Sequence, residues 1–456
     1  DGAPRTAPHD DDGSLTKCDR HHNACPDKDR RRPMNRILSL VVGALWVLAV
    51  VQIAVPVPEL KPAITGTMTG ILVLYLLLIA PRISRHSQIL CAVLGAVTVL
   101  LAAIYGRWDS IPDGFARAAI FPAFLATLVL LRATANQRPE ISAARRMFGA
   151  LDPARRDSGI IIGTHLIGVI LSVGVFAVIA PILRPGTPAE ERREVFTAAI
   201  RGMAMVSFWS PFIVAMGVAS QYLPMVPLWQ IMSLGLSMTL IGICISFLGF
   251  DRNRGIEPLL LALRSLGPVA VPILVAALIV ALPVPCLLAV LQTRGGSVKQ
   301  AVGQTFDGLS RIGPETSIIC VSTILGMVFE ASLPATGLVL WLESQALSPT
   351  VVIFTIIMSM NIAGLLGVHP IVTGTVLLVI FTTVPNGVAD LVLMQTLLIG
   401  WGLCSGISIG SLSVATGAAM FRLPPTRLVT RKNIVFVFST SVLFCALLSV
   451  LNLLLT

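Results

Sequence analysis

The chain has 456 residues, of which 55% are hydrophobic and 12% are charged, and its formal net charge is +10. Soluble domains carry about 25% charged residues, so this composition excludes a soluble enzyme, a disordered chain and a disulfide-rich secreted module. A mean hydropathy of +0.85 predicts an all-α polytopic membrane protein. We assign its basic excess to cytoplasmic loops and expect no nucleic-acid partner.

Residues 1–33 differ from the rest of the chain because they are polar and carry as many acidic as basic side chains. We expect them to form a disordered N-terminal tail. Within this tail, Cys18–Cys25 contains two cysteines and two histidines, which are residue types that bind zinc. Their spacing matches no standard zinc finger, and we predict no metal site.

After Met34, apolar runs long enough to cross a bilayer recur along the chain. We predict about ten full spans plus two re-entrant hairpins, beginning with four transmembrane helices in 34–133. The predicted runs are 37–56, 63–81, 88–106, 115–133, 159–183, 195–224, 228–250, 267–293, 317–342, 351–384, 389–421 and 433–455.

Basic loops indicate the orientation of these runs in a bacterial inner membrane. Arg30–Arg32 and the loops 82–86 and 132–158 all favour the cytoplasmic side, so we expect a cytoplasmic N-terminus. The basic residues of 422–432 favour the same side, although counting spans through 389–421 leaves them outside.

An internal similarity recurs at an offset near 158 residues. It predicts two inverted structural repeats, over 134–293 and 294–456. The matched pairs include Phe148 with Phe306, Gly168 with Gly326 and Gly242 with Gly400.

A proline interrupts one long apolar stretch in each predicted repeat, at Ser210-Pro211 and at His369-Pro370. Proline removes a backbone donor and disfavours helix at the preceding residue. We therefore predict re-entrant hairpins over 195–224 and 351–384, entering from opposite faces with their tips near the middle of the membrane.

Broken helices expose backbone groups that can replace a solute's lost hydration. Hydroxyls and histidine at the breaks are therefore candidate ligands, and Glu330 is a candidate because ionisable groups inside a membrane are costly. The alternative is that Ser, Thr and Gly only pack the helices together. The candidate substrate- or ion-binding residues are Ser210, Pro211, His369, Pro370, Thr373, Thr375, Ser405, Ser408, Ser411 and Glu330.

The layout over about 130–456 resembles the ion transporter superfamily, which includes the large membrane subunit of TRAP transporters, divalent anion/sodium symporters and arsenite-type permeases. Gly367–Val372 looks like a hairpin tip of that group, and Cys404–Ser411 occupies the place of its unwound helix. The resemblance implies an elevator-type secondary transporter of a small carboxylate-like anion, with Na+ or H+ as the coupling ion and no other cofactor.

The sequence is compatible with several alternatives. The chain is either a self-sufficient carrier or a TRAP-type permease subunit that needs a periplasmic binding protein and a small membrane subunit. A membrane enzyme and a scaffold subunit are further alternatives, but no nucleotide-binding P-loop is present and we predict no enzyme activity. The expected partners are the solute, the lipid bilayer and, as an open choice, a second copy of the chain.

Overall fold

The computed structural model describes residues 26–54, 58–137, 156–183, 186–250 and 295–456. Within these ranges all regular structure is helical and no strand occurs. Seven of the described helices are long and apolar enough to cross a membrane. The chain is therefore an all-α membrane protein, as its composition predicted.

The first helix, α1 (Pro26–Ala54), begins earlier than the sequence suggested. Residues 26–33, which were predicted to be disordered, form about the first two turns of this helix. Arginine is a good helix former, so the helix continues from the apolar run into the basic segment. Residues 1–25 and the predicted span 267–293 lie outside the described residues.

Seven helices pack into a block that we call the wall. Within it, Gly114 lies against Ile324, and only a glycine allows these two helices to come so close. The Ser39 hydroxyl donates a hydrogen bond of 2.7 Å to the Phe306 carbonyl and ties α1 to the helix Gly295–Leu309. The wall helices are α1, α2 (Lys61–Ile79), α3 (Arg85–Tyr105), α4 (Ser110–Ala118), α5 (Phe121–Ala135), α11 (Gly295–Leu309) and α12 (Gly313–Thr336).

The first unit consists of α6 (Arg156–Leu171), α7 (Phe176–Ile179), α8 (Ala189–Val206), α9 (Val214–Tyr222) and α10 (Leu228–Ile245). Ile161 of α6 lies against Gly202 of α8. Further along both helices, Gly168 lies against Val206, so α6 and α8 run in the same direction. The chain between them must return, which makes α6 and α7 the arms of a hairpin whose tip is the 3₁₀ turn Ser172–Val175.

The second unit consists of α13 (Leu338–Ser344), α14 (Pro349–Leu365), α15 (Pro370–Thr383), α16 (Asp390–Ser405), α17 (Leu412–Phe421), α18 (Pro425–Leu428) and α19 (Arg431–Leu455). Met360 of α14 lies against Gly374 of α15. Pro349, the first residue of α14, lies against Gly387 just beyond α15. Each contact joins two residues that are about equally far along the sequence from 366–369. The helices α14 and α15 therefore form an antiparallel hairpin whose tip is 366–369.

In this unit too, the helix that follows the hairpin runs parallel to its first arm. Ile357 lies against Gly400, and further along both helices Gly364 lies against Cys404. Each unit therefore has a hairpin followed by a helix that is broken, over 207–213 in the first unit and 406–411 in the second.

The two broken helices approach each other from opposite directions. Gly402 of α16 lies against Ala204 of α8, whereas Gly406, the first residue after α16, also reaches the earlier residue Ile200. The Gln395 amide donates a hydrogen bond of 3.2 Å to the Phe208 carbonyl at the end of α8. The contact is therefore antiparallel, and the end of α8 lies beside the first half of α16.

These contacts correct the hairpin predicted over 195–224. Its start lies beside the end of α17, where the rings of Phe196 and Phe421 are 5.4 Å apart. Its end, Tyr222, lies beside Gly326, which also contacts Thr375 on the returning arm of the other hairpin. The segment thus continues past the level of the tips instead of returning. Pro211 interrupts the helix, but a proline does not decide the direction in which the chain goes on.

Basic residues are concentrated at one end of the helices, which we call the basic face. Gly313 lies against Ile79 at this end, and the Arg192 guanidinium donates a hydrogen bond of 3.1 Å to the Phe421 carbonyl. The base of the second hairpin, at Pro349 and Gly387, lies at the opposite face. The described basic residues at the basic face are Arg36, Arg82, Arg85, Arg132, Arg192, Arg193, Lys299, Arg311, Arg422, Arg427, Arg431 and Lys432.

Candidate functional site

A cavity of about 290 Å³ lies where both hairpin tips and both helix breaks meet the wall. The tips contribute Ser172 and His369, and the breaks contribute Ser207 and Ser411. Ser84 belongs to the loop between α2 and α3 at the basic face, so the cavity lies toward that face. Elements that are distant in sequence thus converge on one space.

Three half-length helices begin at this cavity, and their caps show why they begin there. The His369 Nδ1 accepts a hydrogen bond of 3.2 Å from the Ile371 amide, and Pro370 occupies the first turn of α15. The Ser411 Oγ accepts a hydrogen bond of 3.2 Å from the Val414 amide at the start of α17. The third helix is α9, whose first residue Val214 also lines the cavity. Helix N-termini carry partial positive charge, so the three together favour an anionic group.

The second tip and the second break are tied together by hydroxyls and glycines. The Ser408 Oγ donates a hydrogen bond of 3.0 Å to the Val368 carbonyl. The Ser411 Oγ donates one of 2.8 Å to the Ser405 carbonyl within the break. Gly410 lies so close to the Gly367 carbonyl that a side chain at position 410 would collide with it. The unwound segment is therefore held in a defined shape.

In the first unit, His165 plays the corresponding role. Its Nε2 accepts a hydrogen bond of 3.2 Å from the Trp209 indole. Its Nδ1 lies 3.2 Å from the Gly202 carbonyl and donates to it in the matching tautomer. His165 is buried and ties α6 to the break after α8.

The wall presents two charged side chains to the cavity. Arg132 lies in the last turn of α5, and Glu315 lies in the first turn of α12. Both side chains line the cavity, and their opposite charges attract each other. His86 completes the polar part of this wall.

Four of the ten predicted site residues line the cavity, namely His369, Pro370, Ser405 and Ser411. Ser408 lies directly behind them, bonded to the second tip. The Ser210 hydroxyl is fully buried and lies 3.5 Å from the Val169 carbonyl, and neither it nor Pro211 belongs to the lining.

The remaining predicted residues lie elsewhere. Thr375 is buried against Gly326 of α12, and Thr373 is half-buried on α15 outside the lining. Glu330 lies on α12 away from the cavity, where its carboxylate is 3.8 Å from the Arg117 guanidinium. Arg117 also donates a hydrogen bond of 2.9 Å to the Gln221 carbonyl, so this cluster joins the wall to the end of α9.

Sequence reasoning missed Ser172, Ser207, Arg132 and Glu315 as cavity residues. Ser172 and Ser207 were missed because the first hairpin was assigned to a different segment. Arg132 and Glu315 lie at the ends of apolar runs, where charged residues ordinarily belong to loops. No signal in the sequence indicated that these two ends meet.

Among the described residues, no group of three or more His, Cys, Asp or Glu side chains could hold a metal ion. Cys18–Cys25 lies outside the described residues. No protein-family model matches the chain, and no curated protein matches it in sequence. The geometry of the cavity is therefore the basis for proposing a function.

Proposed function

We propose that the chain is a secondary active transporter of a small anionic solute, working by an elevator-type alternating-access mechanism coupled to an ion gradient. The observation that carries the proposal is the convergence of two hairpin tips and two helix breaks on one cavity. Non-helical backbone inside a membrane is tolerated where it lines a cavity, and many secondary transporters bind their solutes at such places.

Two inverted repeats, 156–245 and 349–455, fit this proposal better than the predicted units 134–293 and 294–456. Each has a hairpin followed by a parallel broken helix, and the two broken helices are antiparallel to each other. An offset of 200 residues aligns the broken helices, in place of the predicted offset near 158. The pairs at this offset include Gly202 with Gly402, Val214 with Val414, Ala215 with Ala415, Gly217 with Gly417 and Pro224 with Pro424.

The distribution of charge supports an inward-open arrangement. Basic residues favour the cytoplasmic side of a membrane, so we assign the basic face to the cytoplasm of a bacterial inner membrane. Arg36 near the N-terminal end of α1 belongs to this face, in keeping with a cytoplasmic N-terminus. The basic residues of 422–432 lie at the same face, since α16 and α17 together cross from the opposite one. The cavity then opens toward the cytoplasm.

In the proposed movement the wall is one body and the two units together are the other. One side of the cavity belongs to the wall, through His86, Arg132 and Glu315, and the other side belongs to the tips and breaks. A site at the boundary between two bodies can change its access when one body slides along the other. Each unit is tied internally by buried hydrogen bonds, so we assign the movement to both units as one body.

Uptake by the purified chain in liposomes tests the proposal. We expect accumulation of small carboxylates or amino acids when an inward Na+ or H+ gradient is imposed, and loss of that uptake in Ser411→Ala. Ser439→Ala is the matched control, because the exposed Ser439 hydroxyl bonds only to backbone carbonyls of its own helix. Uptake only after addition of a soluble binding protein would favour the permease-subunit alternative, and no uptake under either condition would refute transport.

The inverted arrangement has its own test. In a cysteine-free background, Pro188→Cys lies before α8 and Pro385→Cys lies after α15, and both positions are exposed. We expect a membrane-impermeant thiol reagent to label Pro188→Cys from the cytoplasmic side and Pro385→Cys from the opposite side. Labelling of both from one side would contradict opposed hairpins.

A further inference from the structure

The charged pair on the wall carries information about the solute. Arg132 and Glu315 are both half-buried and line the same cavity. Neither side chain has a hydrogen-bond partner among the residues that the structure describes. A guanidinium has five N–H donors and a carboxylate has two acceptor oxygens, so both groups have full bonding capacity left for a bound molecule.

Both side chains lie where their helices favour the charged form. Arg132 is at the C-terminal end of α5, and Glu315 is at the N-terminal end of α12. Cations are stabilised at helix C-termini and anions at N-termini. The wall therefore offers one positive and one negative group, and the pair adds no net charge to the cavity.

The opposite side of the cavity is positive, because α9, α15 and α17 begin there. A solute with one anionic group satisfies these N-termini together with Arg132. A second anionic group would face Glu315, and like charges repel strongly where water is scarce. An ammonium group at that position would instead form a charge-assisted hydrogen bond with the carboxylate.

We infer that the solute is a small zwitterion, with its anionic group at the half-helix N-termini and Arg132 and its ammonium group at Glu315. The inference rests on the proposed function, and it narrows the anionic solute proposed there to one whose anionic group is accompanied by an ammonium group. At about 30 Å³ for each water-sized volume, the cavity holds a solute of roughly ten non-hydrogen atoms. Glu315 is then the residue that selects zwitterions over dicarboxylates.

Calorimetric titration of the purified full chain with three matched compounds tests this inference. The compounds are 4-aminobutyrate, butyrate and succinate, which share a four-carbon chain. The first is a zwitterion, the second carries one negative charge and the third carries two negative charges. We expect 4-aminobutyrate to bind about tenfold more tightly than butyrate, because it gains a hydrogen bond to a charged group, and succinate to bind most weakly.

Two variants and a control identify the groups responsible. We expect Glu315→Gln to weaken 4-aminobutyrate about tenfold while changing butyrate less than about twofold, and Arg132→Gln to weaken both compounds. Glu343→Gln is the control, because it removes an exposed carboxylate that lies outside the cavity. Equal effects of Glu315→Gln and Glu343→Gln would overturn the inference.

The wild-type titrations decide the question even if a variant does not fold. Succinate binding as tight as 4-aminobutyrate, or no binding of 4-aminobutyrate at all, would overturn the zwitterion inference. Binding in detergent is measured without transport. A protein that binds 4-aminobutyrate as expected but does not move it across liposomes would therefore refute the proposed function and leave the assignment of the site intact.

Discussion

The two hairpins of this protein differ in regularity although each is followed by a parallel broken helix. The second hairpin has two continuous arms, α14 and α15, and its tip turns at Gly367 with φ of 87°. The first returns through short 3₁₀ and α-helical pieces, and Ser172 at its tip adopts a φ of 51°. A non-glycine residue in the left-handed region is strained, so the first tip stores strain that the second avoids.

The two prolines in the interrupted apolar runs have different structural roles. Pro370 begins the returning arm of a hairpin, whereas Pro211 lies in the break of a helix that continues onward. Both prolines end a run of helical hydrogen bonds, and the direction of the next segment comes from the helices packed around it. A proline within an apolar run therefore predicts a break in the helix. It does not predict whether the chain then turns back as a hairpin or continues across the membrane.

The largest expected effect tests whether both units depend equally on close helix contact. A Cβ at Gly202 would collide with the Ile161 carbonyl, and one at Gly402 would collide with the Ala204 carbonyl. We expect Gly202→Ala and Gly402→Ala each to lower the free energy of unfolding by about 1–3 kcal/mol through overpacking. Thermal unfolding in detergent measures the loss. Gly95→Ala is the control, because nothing lies within 4 Å of its added Cβ. A loss of stability in only one of the two glycine variants would contradict the equal dependence of the two units on close helix contact.

The next effect concerns the two tips. Gly367→Ala places a side chain at a positive φ without any clash, so we expect a loss of about 1–2 kcal/mol from backbone strain alone. Ser172→Gly relieves the same strain, and we expect the unfolding midpoint to rise. A fall in the midpoint of Ser172→Gly would show that the first tip is not strained.

A smaller effect compares the hydroxyls that tie each break to its hairpin. Ser408 donates over 3.0 Å to Val368, whereas Ser210 lies 3.5 Å from the Val169 carbonyl. We expect Ser408→Ala to cost about 1 kcal/mol and Ser210→Ala clearly less, since hydrogen bonds weaken with distance. Chemical or thermal unfolding of both variants under one condition checks the order, and the reverse order would contradict this reading of the two breaks.

The smallest expected effect concerns the link between the wall and the first unit. Arg117 donates to the Gln221 carbonyl and lies 4.5 Å from the centre of the Tyr222 ring. In the proposed mechanism this link contributes about 1 kcal/mol to the inward-open state, so we expect Arg117→Gln to make that state about fivefold less populated. Thiol labelling of Ser84→Cys in the cavity from the cytoplasmic side measures that population. Arg107→Gln is the control, and equal labelling in both variants would exclude Arg117 as a link.

Much of the second unit could be predicted from local sequence. His369, Ser405 and Ser411 are polar residues at breaks in apolar runs, and such breaks leave backbone groups free wherever they occur. Each of the three lines the cavity. The first unit was harder because its hairpin lies within 159–183, where a short apolar return has the same hydropathy as part of a single span.

The repeat shows how apolar sequence misleads. Matches at an offset near 158 paired 195–224 with 351–384, while the offset of 200 pairs Gly202 with Gly402 and Pro224 with Pro424. Apolar segments share so few residue types that both registers give matches. The glycines distinguish the registers only once the contacts show which ones allow helices to approach closely.

The sequence by itself determined that this is an all-α membrane protein with polar breaks in its apolar runs, because hydropathy and proline act locally. Only the tertiary structure decided which segments return and which continue, and that Arg132 and Glu315 face one cavity with His369 and Ser411. The physical reason is that a helix satisfies its own backbone hydrogen bonds in either direction. Its direction and neighbours are therefore fixed by packing between residues that are far apart in the chain.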